Sequence, residues 1–366
     1  MCPRKCEVAR MKTLNIKKTT KVDFATYIGV TIVFLIVNSL KNGGQLSNSI
    51  TSWLVPVCCF VSMAVSLNLV VGISGELSLG HAGFMSVGAF SGVVAAMSLA
   101  ESIPLAPVRL AVAIVVGAVF AAATGVIVGV PVLRLRGDYL AIVTLAFGQI
   151  IKDLINCLIV GHDSKGLHVI FNVSGAKTVA DLHMDEAGVA IIKGAQGAVG
   201  VTKLSTFTAG YILVMITLVI VLNLVRSRSG RAIMAIRDNR IAAESVGINV
   251  TKYKLMAFVT SAALAGAAGA LYGLNYGSLV ASRFDFNTSI LVLVYVVLGG
   301  LGNIWGSIIA ATVLYVLPEA LREFQDYRML AYAVVLILIM LATNNDQLKA
   351  LLGRIIPKRK GEETNG

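Results

Sequence analysis

Long apolar runs parted by short polar breaks make up most of this 366-residue chain. As helices, runs of roughly 17–25 apolar residues match the hydrocarbon thickness of a bilayer. Ten spans are expected, at 24–40, 51–71, 79–100, 108–130, 139–160, 206–225, 255–280, 286–301, 303–318 and 329–344. Only Gly302 parts the eighth from the ninth, so that pair also fits one broken or re-entrant element, which leaves eight spans. A transmembrane barrel would need segments of about ten residues with alternating polarity, and the pattern has none. The expected fold class is an all-α polytopic membrane protein.

Composition sharpens that picture. Charged residues are 14% of the chain, against about 25% in soluble domains. The net charge of +12 sits beside the apolar spans and forms no separate basic domain, which points to a lipid membrane and away from nucleic acid. If the N-terminus is inside, 21 of the 31 Lys and Arg residues fall in cytoplasmic segments. This bias places both termini of a multi-pass protein in the cytoplasm. The organisation expected is a basic tail over 1–23, a transmembrane domain over 24–345 and a second tail over 346–366. The first span has no small-residue cleavage site after it and reads as an uncleaved anchor. Within the domain, 161–205 is an external segment too long for a simple connector, suited to an exposed loop or small amphipathic cap. The 226–254 segment is a cytoplasmic, helix-prone loop with seven Lys and Arg residues.

Candidate chemistry is sparse. The four histidines form no HExxH pattern, no GxSxG occurs, and no Gly-rich loop leads into Lys-Ser/Thr, so the chain is expected to hold no ATP site or catalytic set of its own. Cys58, Cys59 and Cys157 read as thiols in apolar packing. Cys2 and Cys6 lack further ligands for a four-coordinate metal. Small-xxx-small spacing at Gly125 and Gly129, at Gly269, Gly273 and Gly277, and at Gly302 and Gly306 suits close helix contacts. The stretch 72–84, GISGELSLGHAGF, is too glycine-rich for a plain helix, and irregular backbone in a membrane must be buried in protein or line a cavity. Gly75, Glu76, Ser78, Gly80 and His81 are therefore candidates for a pathway or gate, with turn-and-cap chemistry as the other reading. Asp138, in LRLRGDY, is placed to cap the next span. An autonomous ion-coupled transporter would have to rely on Glu76, Lys152 and Asp153.

Four collinear stretches carry a family resemblance: NLVVGISGELSLGHAGFMSVGAF (68–90), RLRGDYLAIVTLAFGQI (134–150), SGRAIMAIRDNRIAAESVGINVTKYKLMAF (229–258) and LVLVYVVLGGLGNIWGSIIAA (291–311). Over about 50–345 the chain resembles the branched-chain amino acid ABC transporter permease family, more its LivM-type member than its LivH-type one. The resemblance implies a permease subunit of a binding-protein-dependent importer. A LivH-type permease would complete the pore, two cytoplasmic ATPase subunits would use ATP, and an external binding protein would deliver solute. It also implies that 241–247 corresponds to the E-A-A-x-x-x-G coupling pattern. Ala242, Ala243 and Gly247 are kept, Ile241 replaces the usual Glu, and Arg237, Asp238 and Arg240 precede them. A coupling helix over 236–250 is expected. The family's GG-rich external motif is only loosely kept at GHDSKGL (161–167). Related permeases import urea and short amides, so those solutes stand beside branched-chain amino acids.

Overall fold

The computed structural model describes residues 24–44, 47–133, 138–163, 166–172, 179–182 and 188–321, with isolated positions between 327 and 337. The tails 1–23 and 346–366, Arg134 and Arg136, Cys2 and Cys6, and most of the expected span 329–344 lie outside the described residues. Eleven helices run in chain order through the described residues. They are α1 (Phe24–Asn42), α2 (Asn48–Asn68), α3 (His81–Ser98), α4 (Ala106–Val132), α5 (Asp138–Asn156) and α6 (Phe207–Arg226), then α7 (Arg228–Asp238), α8 (Arg240–Ser245), α9 (Val250–Gly273), α10 (Phe286–Gly299) and α11 (Ile304–Ala320). Compact units divide at Ala311 and Thr312, and the packing described here is that of the first.

Seven of these helices, α1 to α6 and α9, are long and apolar enough to cross a membrane. α10 and α11 are shorter. At 1.5 Å per residue the 14 residues of α10 rise about 21 Å, less than a hydrocarbon core of roughly 30 Å. Gly300 and Gly302, at φ 91° and 80°, turn the chain between them, and Gly299 meets Gly306 across that turn. Large apolar side chains lie exposed along the outer helices, among them Ile32, Val115, Ile127, Ile142 and Ile212. Such a belt is costly in water and natural against lipid. The chain is a multi-pass membrane protein.

Burial from water supplies no drive inside a bilayer, so close backbone approach does the packing. α3, α4 and α9 meet where Gly88, Gly117 and Gly266 touch backbone to backbone. Gly125 lies against Ala262, Gly129 against Leu255 and Phe258, and Gly269 against the Met85 carbonyl. α2 sits on α9 and α6, with Cys58 over Gly210. α1 leans on α6, where Phe34 stacks on Tyr211 with ring centroids 4.0 Å apart. Gly277 falls beyond the end of α9 and packs on no helix, contrary to its expected place in a small-residue ridge.

The all-α expectation fails between α5 and α6 and again just after α9. A five-stranded antiparallel sheet in the order β2-β1-β3-β4-β5 is built from β1 (Leu158–Asp163), β2 (Gly166–Phe171), β3 (Val189–Lys193), β4 (Ala198–Val199) and β5 (Ser278–Leu279). The cause is local. GLHVIF alternates in burial with period two, and β-branched residues suit a pleated surface better than a helix. The Asp163 carboxylate accepts from Gly166 N at 3.2 Å and pairs with His168 at 3.1 Å, pinning the β1–β2 hairpin. α5 therefore stops at Asn156 rather than 160, and α9 at Gly273 rather than 280.

Candidate functional site

The segment linking α2 to α3 is irregular, as its glycines foretold. α2 leaves its regular course through a π turn, Leu69–Ile73, whose five residues are all buried. The chain then runs without helix from Ser74 to Gly80. π turns of this kind are frequent at functional sites. Beyond the turn, backbone N–H groups bond to other helices. Leu79 N donates to Thr144 Oγ1 of α5 at 3.1 Å, and Ala82 N to Ser289 Oγ of α10 at 3.1 Å. Asn68 accepts from Gly302 N at 2.8 Å and donates to Ser307 Oγ at 2.9 Å, tying α2 to the turn between α10 and α11. A side chain at Gly72 would strike Asn68 and Gly302, and one at Gly80 would strike the Thr144 carbonyl. Gly75 needs its freedom for a different reason, having φ +73°.

The candidates in this segment have distinct surroundings. His81 is buried, with Nε2 2.9 Å from Ser66 Oγ of α2, so it hydrogen-bonds to a neighbouring helix. Ser78 is buried too, and its Oγ has no hydrogen-bond partner among the described residues. Glu76 forms an ion pair with Lys254 at the start of α9, with only 13% and 12% of the two side chains exposed.

α7 and α8 occupy this same end of the bundle. α7 turns sharply out of α6. Ser227 Oγ caps it by accepting from Gly230 N at 3.1 Å, and Gly230 leaves no room for a side chain against the Val225 carbonyl. The expected single coupling helix over 236–250 is broken at Asn239, whose extended backbone (φ −153°) ends α7. Its side chain restarts the chain as α8 by accepting from Ala242 N at 3.0 Å. Asn is among the strongest N-caps for this reason. Gly247, at φ +81°, closes α8 as expected. Its N–H reaches the Glu244 carbonyl, and Ile248 N reaches Ala243 O at 3.1 Å, a Schellman ending.

The faces of this unit are set by packing. Ala243 is buried with Ile236 and Val250, flanked by Ile248 and Tyr253, so it serves the loop's own small core. Ala242 faces outward, beside Ile241 and Val246, which are 80% and 74% exposed. Arg240 pairs with Glu244 one turn on, at 2.9 Å. Arg237 donates to the Gly72 carbonyl at 3.1 Å and pairs with Asp238 at 3.0 Å.

The two candidate sets, distant in sequence, are thus in direct contact: Arg237 touches Gly72 and packs its Cγ against Gly75, and Lys254 holds Glu76. Ser78 and His81 lie off this contact, within the helix bundle. Sequence reasoning counted Lys254 only as a topology charge, and it had no signal for Asn68, Thr144 or Ser289. Among the described residues no group of three His, Cys, Asp or Glu side chains is arranged to hold a metal ion, and Cys58, Cys59 and Cys157 are free thiols. Asp153 is exposed near the end of α5 and accepts from Gln149 at 3.3 Å, a local helix-surface contact.

Comparison with known proteins places this architecture. Residues 49–343 match the family model described as branched-chain amino acid transport system / permease component. The high-affinity branched-chain amino acid transport system permease protein LivM of Salmonella typhimurium is 34% identical over 292 residues, which is 77% of this chain and 66% of that protein. The chain therefore spans slightly less than two thirds of that relative's length. LivH of the same organism is 33% identical over 120 residues, 31% of this chain and 38% of LivH. The ribose import permease protein RbsC of Haemophilus influenzae is 25% identical over 333 residues, 88% of this chain and 93% of RbsC. With its broken α2–α3 connection and its α7–α8 unit inside the matched region, the chain belongs to the family of branched-chain amino acid transport system permease components.

Proposed function

We propose that this chain is the LivM-type permease subunit of an ABC importer for branched-chain amino acids. A LivH-type permease would complete the pore and an external binding protein would deliver solute. Two cytoplasmic ATPase subunits would supply the energy, so this chain needs no bound cofactor. One observation carries the reading: α8 presents Ile241, Ala242 and Val246 to solvent on a capped helix flanked by cationic residues. Exposed apolar anchors rimmed by charge are the makings of a protein interface. This face would lie in the cytoplasm of a bacterial inner membrane, with both termini on the same side, as the cation bias favours.

In this mechanism the ATPase dimer closes on ATP and pushes α7 and α8. The push shifts the α2–α3 connection and switches the bundle between outward and inward access. The solute assignment rests on the kinship to LivM; RbsC bears a sugar's name at lower identity over more of the chain, and nothing in either kinship favours urea or short amides.

The test is uptake of radiolabelled leucine into proteoliposomes. With the second permease, both ATPases and the binding protein present, uptake is expected only when ATP is enclosed with the ATPases. The purified single chain with an ion gradient is expected to move none, and uptake under that condition would replace this reading with secondary transport.

A further inference from the structure

We infer that Glu76 and Lys254, with the Arg237 bond to Gly72, form the mechanical linkage that joins the α7–α8 unit and the start of α9 packed on it to the α2–α3 connection, making Glu76 and Lys254 positioning residues for transport. The inference rests on the docking reading above and adds the route by which docking reaches the spans.

The geometry singles out this route. Backbone rather than side-chain chemistry opens it: the π turn leaves the Gly72 carbonyl available, and Arg237 takes it at 3.1 Å. Gly75, bent to φ +73°, lets the Arg237 stem lie against the chain, with an added Cβ only 2.7 Å from Arg237 Cγ. Four residues beyond Gly72, Glu76 reaches Lys254. Both bonds thus hold the same short irregular segment, one from the end of α7 and one from near the start of α9, whose Val250 packs in the small core of the α7–α8 unit. A single contact would act as a pivot; two contacts at separate points transmit rotation as well as displacement.

Their energetics suit a linkage. The Glu76–Lys254 pair is largely withdrawn from solvent, and removing one partner of such a pair leaves a poorly solvated charge. The connection therefore follows Lys254 when α9 shifts. On its other side the segment is bonded through Leu79 to Thr144 of α5, and the first turn of α3 that follows it is bonded through Ala82 to Ser289 of α10, so its displacement acts on α5 directly and on α10 through α3. Glu76 consequently needs no contact with solute, and its place in a glycine-rich break is explained by motion.

The test uses the full importer reconstituted with its partner permease, ATPases and binding protein. The variants are Glu76→Gln, the doubly neutral Glu76→Gln with Lys254→Gln, and the exchange Glu76→Lys with Lys254→Glu. Three quantities are read: ATPase subunits retained on purification, leucine uptake, and ATP hydrolysed per leucine moved. The neutral variants are expected to keep their ATPase subunits while uptake falls about tenfold and hydrolysis per leucine rises by a similar factor. The exchange is expected to recover at least half of the uptake. The doubly neutral variant leaves no lone charge, so it is the one to judge if the single variant is unstable. Wild-type uptake in the doubly neutral variant, or no recovery in the exchange, overturns the linkage. Loss of ATPase subunits in the neutral variants overturns it too, since the pair would then serve docking. Failure of the docking reading appears elsewhere, as full ATPase retention when the outer face of α8 is altered.

Discussion

Replacing Ile241 and Val246 together with aspartate is expected to leave the chain folded in the membrane and to strip it of its ATPase subunits. Both side chains are at least 74% exposed, so neither contributes much to the packing of this chain. Buried in a partner, each would supply about 1.5–3 kcal/mol. A carboxylate in the same place costs further desolvation, and together the changes amount to an affinity loss of at least about a hundredfold. Retention of ATPase on the tagged, detergent-solubilised permease measures it. The neighbouring Ala243 provides a contrast. It is 4% exposed and packed on Ile236 and Val250, so Ala243→Asp should disrupt the loop itself, with a lowered thermal midpoint as its mark. Full ATPase retention by the double aspartate variant would mean that α8 is not the docking surface.

Gly266→Val is expected to abolish folded protein. A Cβ at 266 strikes Ala121 and lies 2.7 Å from the Gly117 carbonyl, while Gly88 already rests on the Gly266 backbone. Three helices meet there through main-chain atoms, which cannot swing aside as a side chain can. Overpacking ordinarily costs about 1–3 kcal/mol, and rigid backbone on all sides puts this site at or above the upper end. Gly247→Ala is the matched control. Nothing lies within 4 Å of an added Cβ there, so only the left-handed backbone resists it, at about 1–2 kcal/mol. The yield of monodisperse protein and its thermal midpoint separate the two. Equal behaviour of the two variants would show that the α3–α4–α9 crossing tolerates separation.

Much of this architecture was legible in the apolar runs, because a lipid solvent leaves a chain few options. Most long spans were found within a few residues; α9 instead runs from Val250 to Gly273, against the expected 255–280. One error came where no break exists. The apolar LIV after Asn156 extends the run of α5, and only its pairing with β2 and β3 makes it a strand. Short strands give weak signals, and β5 has just two residues. In the site, glycine density marked 72–84; the irregular part ends at Gly80, and 81–84 form the first turn of α3. Its partners were out of reach: Arg237 lies 165 residues from Gly72, and Lys254 lies 178 from Glu76. The A-A-x-x-x-G pattern located α8 and its glycine stop, yet a six-residue helix does not announce which alanine faces inward. Ile241, seen as the loss of an acidic contact, turned out to be part of an exposed apolar surface.

The most direct test of that surface is photocrosslinking in the assembled importer, with benzoylphenylalanine placed at position 246 and, as a lipid-facing control, at position 127. Irradiation is expected to join the permease to an ATPase subunit from position 246 and not from 127, with the adduct changing in yield when ATP is added. An active importer that gives no ATPase adduct from 246 would contradict the assignment of α8 as the docking helix.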